Sequence, residues 1–382
     1  MLKLTGKVQD YAWGDTSSIA TLQGRTPSGR PEAEVWFGAH PSAPSATEIG
    51  PLDGVIAADP VSALGEPGTL PFLVKLLAAA RPLSIQAHPS IAQAREGFAR
   101  ENGAGIPLDA AHRNYKDDNH KPEILIALTP FKAMAGFRPV EQTVELLDEL
   151  AVPELDKARQ MLADDSVGAH QRLRLVLSEW LELDDPTPIV NSVLDRAAEL
   201  DSFVARNLVF IGEAFPGDVG VLAALLLNHV ELEPGQALFL PAGNMHAYLE
   251  GFGVEVMANS DNVLRGGLTE KHIDIAELED IVVFEPITDP ILVPDEEADD
   301  GVRCAEFPIP VPDFSVTRYS GEGSVPLEGP AIILAVAGRV ALGDSLGIGP
   351  GEAAFIAAED GEVTAEFRAA DSATDFFVVR PG

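Results

Sequence analysis

From residue 140 to about 215 leucine returns at helical spacing, while on both sides the apolar runs are short and broken by proline and glycine. The two patterns cannot share one kind of element. A spacing of three and four builds a helical face, whereas alternation builds a half-buried strand. The chain must therefore carry β-structure interrupted by a helical block. The helical pattern runs through Leu146, Leu147, Leu150 and Leu155, then Leu173, Leu175, Leu177 and Leu181, then Val193, Leu194, Ala197 and Leu200. Residues 1–59 read as short β segments separated by turns such as Thr26-Pro27-Ser28-Gly29. Phe72 to Leu77 is a mostly apolar run, and Leu83 to His88 is an extended segment. Pro89 disfavours a helix at His88, and Ser90 caps a helix predicted to reach about Arg100. Alternation returns from about residue 229, and from about 305 to 380 short strands alternate with glycine turns. Many short strands of this kind predict a sandwich or barrel, not a parallel α/β sheet.

Charge and length narrow the function. The 382 residues suit two to three domains at roughly 150 residues each. Sixty acids face twenty-six bases, a net charge of -34. Such a surface repels nucleic acid and anionic membranes, so neither is expected as a partner. The acidity by itself reads as solubility or salt adaptation. The one cysteine, Cys304, excludes an internal disulfide and a cysteine-based zinc cluster. No apolar run approaches the roughly 20 residues of a membrane span, and the first residues lack the apolar core of a signal peptide. A cytoplasmic enzyme follows; a monomer is the working expectation, although nothing in the sequence gives the oligomeric state.

Four segments hold metal-capable residues: Gln86-Ala87-His88, His120-Lys121-Pro122-Glu123, Gly243 to Tyr248, and Glu255 to Lys271. Gln86 and His88 share a face if their segment is a strand. A set of His88, His246, Glu123 and the Gln86 amide oxygen would leave a position open for substrate, as catalytic zinc requires. A Gln-x-His pair is also a common satisfied polar pair. Lysines are few, yet Lys121 stands two residues from Glu123 and Lys271 six after Arg265. These cations read either as ordinary salt bridges or as phosphate-binding and oxyanion-stabilising groups.

Longer strings carry a resemblance. They are Tyr11 to Gly14, Glu32 to Pro41, Leu83 to Pro89, Asn114 to Glu123, Pro241 to Tyr248 and Asn259 to Thr269. Through them the chain resembles the type I mannose-6-phosphate isomerase (phosphomannose isomerase) family. The resemblance implies a mainly β fold of cupin-like jelly-roll β-sandwich domains with an inserted α-helical domain. The division expected is 1–139 as the first part of the catalytic region, 140–218 as the helical insert, 219–300 as the rest of the catalytic region and 301–382 as a C-terminal jelly roll. It also implies one zinc ion per chain, held by Gln86, His88, Glu123 and His246. Arg265 takes a catalytic role, and Trp13, Ser84, Lys121, Tyr248, Glu255, Asp261 and Lys271 fall in the pocket.

The implied reaction interconverts mannose 6-phosphate and fructose 6-phosphate through a cis-enediol. Its base must accept a carbon-bound proton and return it. Glu255 is the preferred candidate, with Asp261, Lys121 and a metal-bound water as rivals. Arg265, Lys271 and Ser84 are candidates for the phosphate. The competing reading is a non-catalytic metal-binding cupin that senses or binds a sugar phosphate.

Overall fold

The computed structural model describes residues 1–368 and 373–382. Its centre is an 11-stranded sheet organised around one long strand, His246–Ala258. The first part of this strand pairs with Phe131–Phe137, from His246 opposite Ala135 to Glu250 opposite Lys132. The second part pairs with Phe72–Ala79 on one side and Glu123–Ala127 on the other. The strand changes partners at Gly251, whose φ is 143°. A Cβ there would lie 2.5 Å from the Phe131 ring, so only glycine lets the strands cross so closely.

The register slips between Tyr248 and Glu250, where one extra residue is accommodated. Side chains alternate strictly along a strand, so one extra residue exchanges the two faces. Up to and including the extra residue, Ala247 and Leu249 enter the core shared with the helices. Beyond it, Val254 and Val256 enter a different core with Val35, Phe37, Val74, Leu76, Ile124 and Ile126. His246, Tyr248 and Glu255 are left on the side that carries the polar residues.

The leucine-spaced stretch is helical, in Val140–Leu150, Asp156–Leu162, Ala169–Leu181, Thr187–Ala197 and Phe203–Ala214, followed by Gly220–Leu225. Leu146, Leu147, Leu150, Leu173, Leu177, Trp180 and Val193 form the buried stripe. It packs against Ile85, Ala87, Met134, Met245, Ala247 and Leu264, behind the strands that bear the candidate ligands. Ser90 does cap a helix, Ile91–Gly103, through a reciprocal box with Gln93.

A seven-stranded sheet ends in Leu2–Leu4 at one edge and Asp295–Asp299 at the other. Its inner face, with Phe314, Val316, Ile332, Leu334, Phe355, Phe377 and Val379, closes the core over the central sheet. A four-stranded sheet covers its other face.

The expectation of a mainly β fold made of cupin-like jelly rolls is not met. The fold is mixed α/β and multidomain, with substantial helix and several open sheets. Closing a barrel requires the first and last strands to pair. The main path of the central sheet instead runs from Ile291–Leu292 to Lys7–Gln9, and these edges do not meet. Alternation in the sequence reports which face is buried, not whether two edges join. No helix among the described residues is long and apolar enough to cross a membrane.

Candidate metal centre

The sheet register brings three of the predicted ligands together. Gln86 lies opposite His246 on one side and Arg265 on the other. Glu123 opens its strand between Leu240 and Met257. His88 follows the strand Ile85–Ala87, turned inward before Pro89. His88, Glu123 and His246 are all buried, with one donor atom from each lying within 4.8 Å of the others.

The distances have a specific meaning. His88 Nε2 is 3.5 Å from Glu123 Oε1, and His246 Nε2 is 3.3 Å from Glu123 Oε2. These are long for charge-assisted hydrogen bonds. They equal the edge of a tetrahedron with metal–ligand bonds of about 2.1 Å, which is about 3.4 Å. His88 Nδ1 donates to the Asn262 carbonyl at 2.7 Å, and His246 Nδ1 donates to the Asn244 carbonyl at 3.0 Å. A carbonyl can only accept, so both rings carry the proton on Nδ1 and turn a bare Nε2 to the centre. His88 Nε2 is buried with no hydrogen-bond partner among the described residues. Burial also pushes the His88 ring down to about 4, keeping it neutral at physiological pH. Burial opposes the charge of Glu123, but the Lys121 ammonium beside it holds its carboxyl well below the usual range. The donors therefore fit a divalent cation. Gln86 sits beside them and donates its amide N–H to Ser84 Oγ at 3.3 Å.

Lys121 Nζ stands 3.1 Å from Glu123 Oε1. Tyr248 donates to Glu255 Oε1 at 2.8 Å, and the other Glu255 oxygen receives Lys75 Nζ at 2.6 Å. Lys75 also lies 3.4 Å from Glu34, whose second oxygen accepts the Trp36 indole N–H at 2.7 Å. Trp36 pairs with Lys75 and Lys75 with Glu255 across neighbouring strands, and Glu34 stands one pleat from Trp36. Burial would discharge Lys75, yet Glu255 and Glu34 outweigh it and hold the ammonium above its ordinary range. Burial lifts the Glu255 carboxyl despite Lys75, with Glu123 and Glu34 adding to the rise.

The remaining predicted residues lie around this core. Half-exposed Asp261 faces His40 at 3.6 Å. Trp13 stacks with Tyr11, ring centres 5.7 Å apart. Arg265 is half-buried and makes no ion pair among the described residues, and burial pulls its pKa down. Arg265 in turn lowers the Lys271 ammonium, so two cations share one neighbourhood. His120, although in a metal-capable segment, points elsewhere and bonds Asp313 at 2.8 Å.

Sequence reasoning did not single out Lys75, Glu34 or Asn262. The signal for Lys75 was present, a lone charge inside the otherwise apolar run Phe72–Ala79. A charge at the centre of a buried strand needs partners, and the two found here are both carboxylates.

The chain as a whole is similar to known proteins. Residues 1–140 match the family model described as phosphomannose isomerase type I, catalytic domain. The chain is 42% identical to mannose-6-phosphate isomerase of Escherichia coli (strain K12), over 95% of this chain and 96% of the relative. It is 33% identical to that of Homo sapiens, over 88% and 87% of the two chains. The crystal structure of the apo form from Salmonella typhimurium superposes with a TM-score of 0.87 at 38% identity, covering 100% of this chain and 99% of that one. A mannose 6-phosphate isomerase bound with zinc and yttrium superposes at 0.86, with 38% identity and the same coverage. With relatives this similar along nearly the whole chain, the protein belongs to the type I mannose-6-phosphate isomerase family.

Proposed function

We propose that this protein is a zinc-dependent aldose–ketose isomerase that interconverts D-mannose 6-phosphate and D-fructose 6-phosphate. The observation that carries the reading is the buried His88–Glu123–His246 cluster, with its two bare imidazole nitrogens facing one carboxylate. Gln86, His88, Glu123 and His246 would hold the ion, one per chain. Bound there, zinc supplies Lewis acidity to an oxygen of the sugar.

The residues divide the remaining work. Arg265 and Lys271, two cations in a chain of net charge -34, bind the 6-phosphate together with Ser84. Binding the phosphate away from the reacting carbons lets its binding energy position C1 and C2. Arg265 also supplies fixed N–H donors for negative charge on a cis-enediol oxygen, and it is not the base. Glu255 takes the proton from C2 and returns it to C1. Lys75 and Tyr248 hold its two oxygens, and burial raises its carboxyl pKa, which makes it a stronger base than an exposed glutamate. Lys121, 3.1 Å from Glu123 Oε1, orients that carboxylate and donates to a sugar oxygen. Trp13, Tyr248 and Asp261 wall the sugar. The segments 1–139 and 219–300 supply all these groups, 140–218 backs them with helix, and 301–382 forms the C-terminal region. A cytoplasmic monomer that binds no nucleic acid is the state in which we expect this activity.

A coupled assay of fructose 6-phosphate formed from mannose 6-phosphate tests the reading. Turnover should disappear on full chelation and return with zinc. A zinc-loaded protein without turnover would leave only a sugar-phosphate binding module.

A further inference from the structure

The segments that flank the candidate ligands are joined by a polar lattice centred on Asn262. This residue is fully buried, and every polar atom it carries is used. Its side-chain N–H groups donate to the carbonyls of Asp117 at 2.9 Å and Asn119 at 2.8 Å. Its side-chain oxygen accepts from the amides of Lys116 at 2.6 Å and Asp117 at 3.3 Å. Its own amide donates to Ser260 Oγ at 3.2 Å, and its carbonyl accepts the Nδ1 proton of His88. The Asp117 carboxylate answers from the opposite side. Its Oδ1 accepts from Ser260 Oγ at 2.8 Å and its Oδ2 from the Asp261 amide at 2.8 Å.

From this we infer that Asn262 and Asp117 form a clamp that sets the positions of two ligands at once, His88 and Glu123. The inference rests on the metal centre proposed above. On one side, the Asn262 carbonyl fixes the His88 tautomer and the direction of Nε2. On the other, the Asn262 amide closes the turn at 116–119, a few residues before Glu123. An ordinary loop has no need of a buried asparagine with both amide ends saturated. Two ligands that arrive from distant stretches of chain do need a common reference, because metal affinity falls when supporting hydrogen bonds are lost. Asn262 and Asp117 are positioning residues, since neither touches the centre itself. Asp261 lies between Ser260 and Asn262, so the same clamp also sets a wall of the pocket.

The test is zinc affinity by chelator competition, with the visible spectrum of the cobalt-substituted protein as a reading of ligand geometry. Asn262→Ala and Asp117→Asn should weaken zinc binding on the order of 10- to 100-fold and change the cobalt spectrum. The rise in Tm on adding zinc should shrink in both variants. Ser260→Ala removes only one hydroxyl, and it should give a smaller change in the same direction if Asn262→Ala does not fold. Variants that melt lower without metal yet keep wild-type zinc affinity and the wild-type cobalt spectrum would overturn the clamp. A wild-type chain that fails to bind zinc in the same titration would instead overturn the metal centre.

Discussion

Lys75 shows how charge is used at the level of single residues. Its two carboxylate partners are 41 and 180 positions away in the chain, so no local pattern announces them. The metal-capable residues were easier to read, because Gln86, His88, Glu123 and His246 stand in long distinctive strings beside prolines and glycines. What the strings withheld was Lys75, the partner of Glu255. Glu123 has a lysine and two imidazoles around it, whereas Glu255 is packed against Lys75 and Tyr248. Two substitutions separate the proposed roles. Arg265→Ala should lower kcat on the order of 100-fold while zinc content, measured by elemental analysis, stays near one per chain. Loss of zinc would make Arg265 structural. Glu255→Gln should nearly abolish exchange of the C2 hydrogen with solvent, followed by NMR in deuterated buffer. Exchange at the wild-type rate would remove Glu255 from the proton path.

Elements explain why a sheet-bound site needs helices behind it. Leu227–Leu232 pairs with Phe131–Phe137 and faces the helical layer, and it carries His229. The ring is buried, its Nε2 donating to the Ala224 carbonyl at 3.0 Å and its Nδ1 accepting from Asn207 at 3.3 Å. Burial, and then the Arg138 guanidinium, push it down to about 3. Well above pH 6.5 both folded and unfolded states are neutral at this residue, so it adds little pH dependence there. Below that, the unfolded chain takes up a proton that the folded chain refuses. Stability should therefore fall by up to about 1.4 kcal/mol per pH unit as the solution is acidified toward the folded pKa. His229→Gln should flatten the slope of unfolding free energy against pH by that amount, in urea melts between about pH 6.5 and 4. Parallel slopes for the two proteins would refute the assignment. The helices themselves were legible, because leucine spacing is a local signal. The open edges of the sheets were not, because strand partners are chosen by long-range packing.

Taken whole, the molecule carries a charge that should be visible in its stability. Thirty-four uncompensated negative charges on one folded chain repel each other more strongly than on the expanded chain. Salt that shortens the screening length below about 10 Å should relieve this. With zinc held saturating, Tm should rise between low salt and about 0.5 M sodium chloride, and a flat or falling Tm would mean that the acids are already balanced locally. The extra residue between Tyr248 and Glu250 has a consequence of another kind, for how this chain can vary over generations. His246 and Glu255 look the same way only because an odd step separates the two halves of their strand. Removing or adding a single codon there would turn one half inside out, burying either the imidazole or the carboxylate in hydrocarbon. Substitutions along this strand are open to gradual exploration, but its length is not. A library of one-residue insertions and deletions should therefore be empty of active members at 248–251, while the same changes in the exposed turn at 106–112 survive.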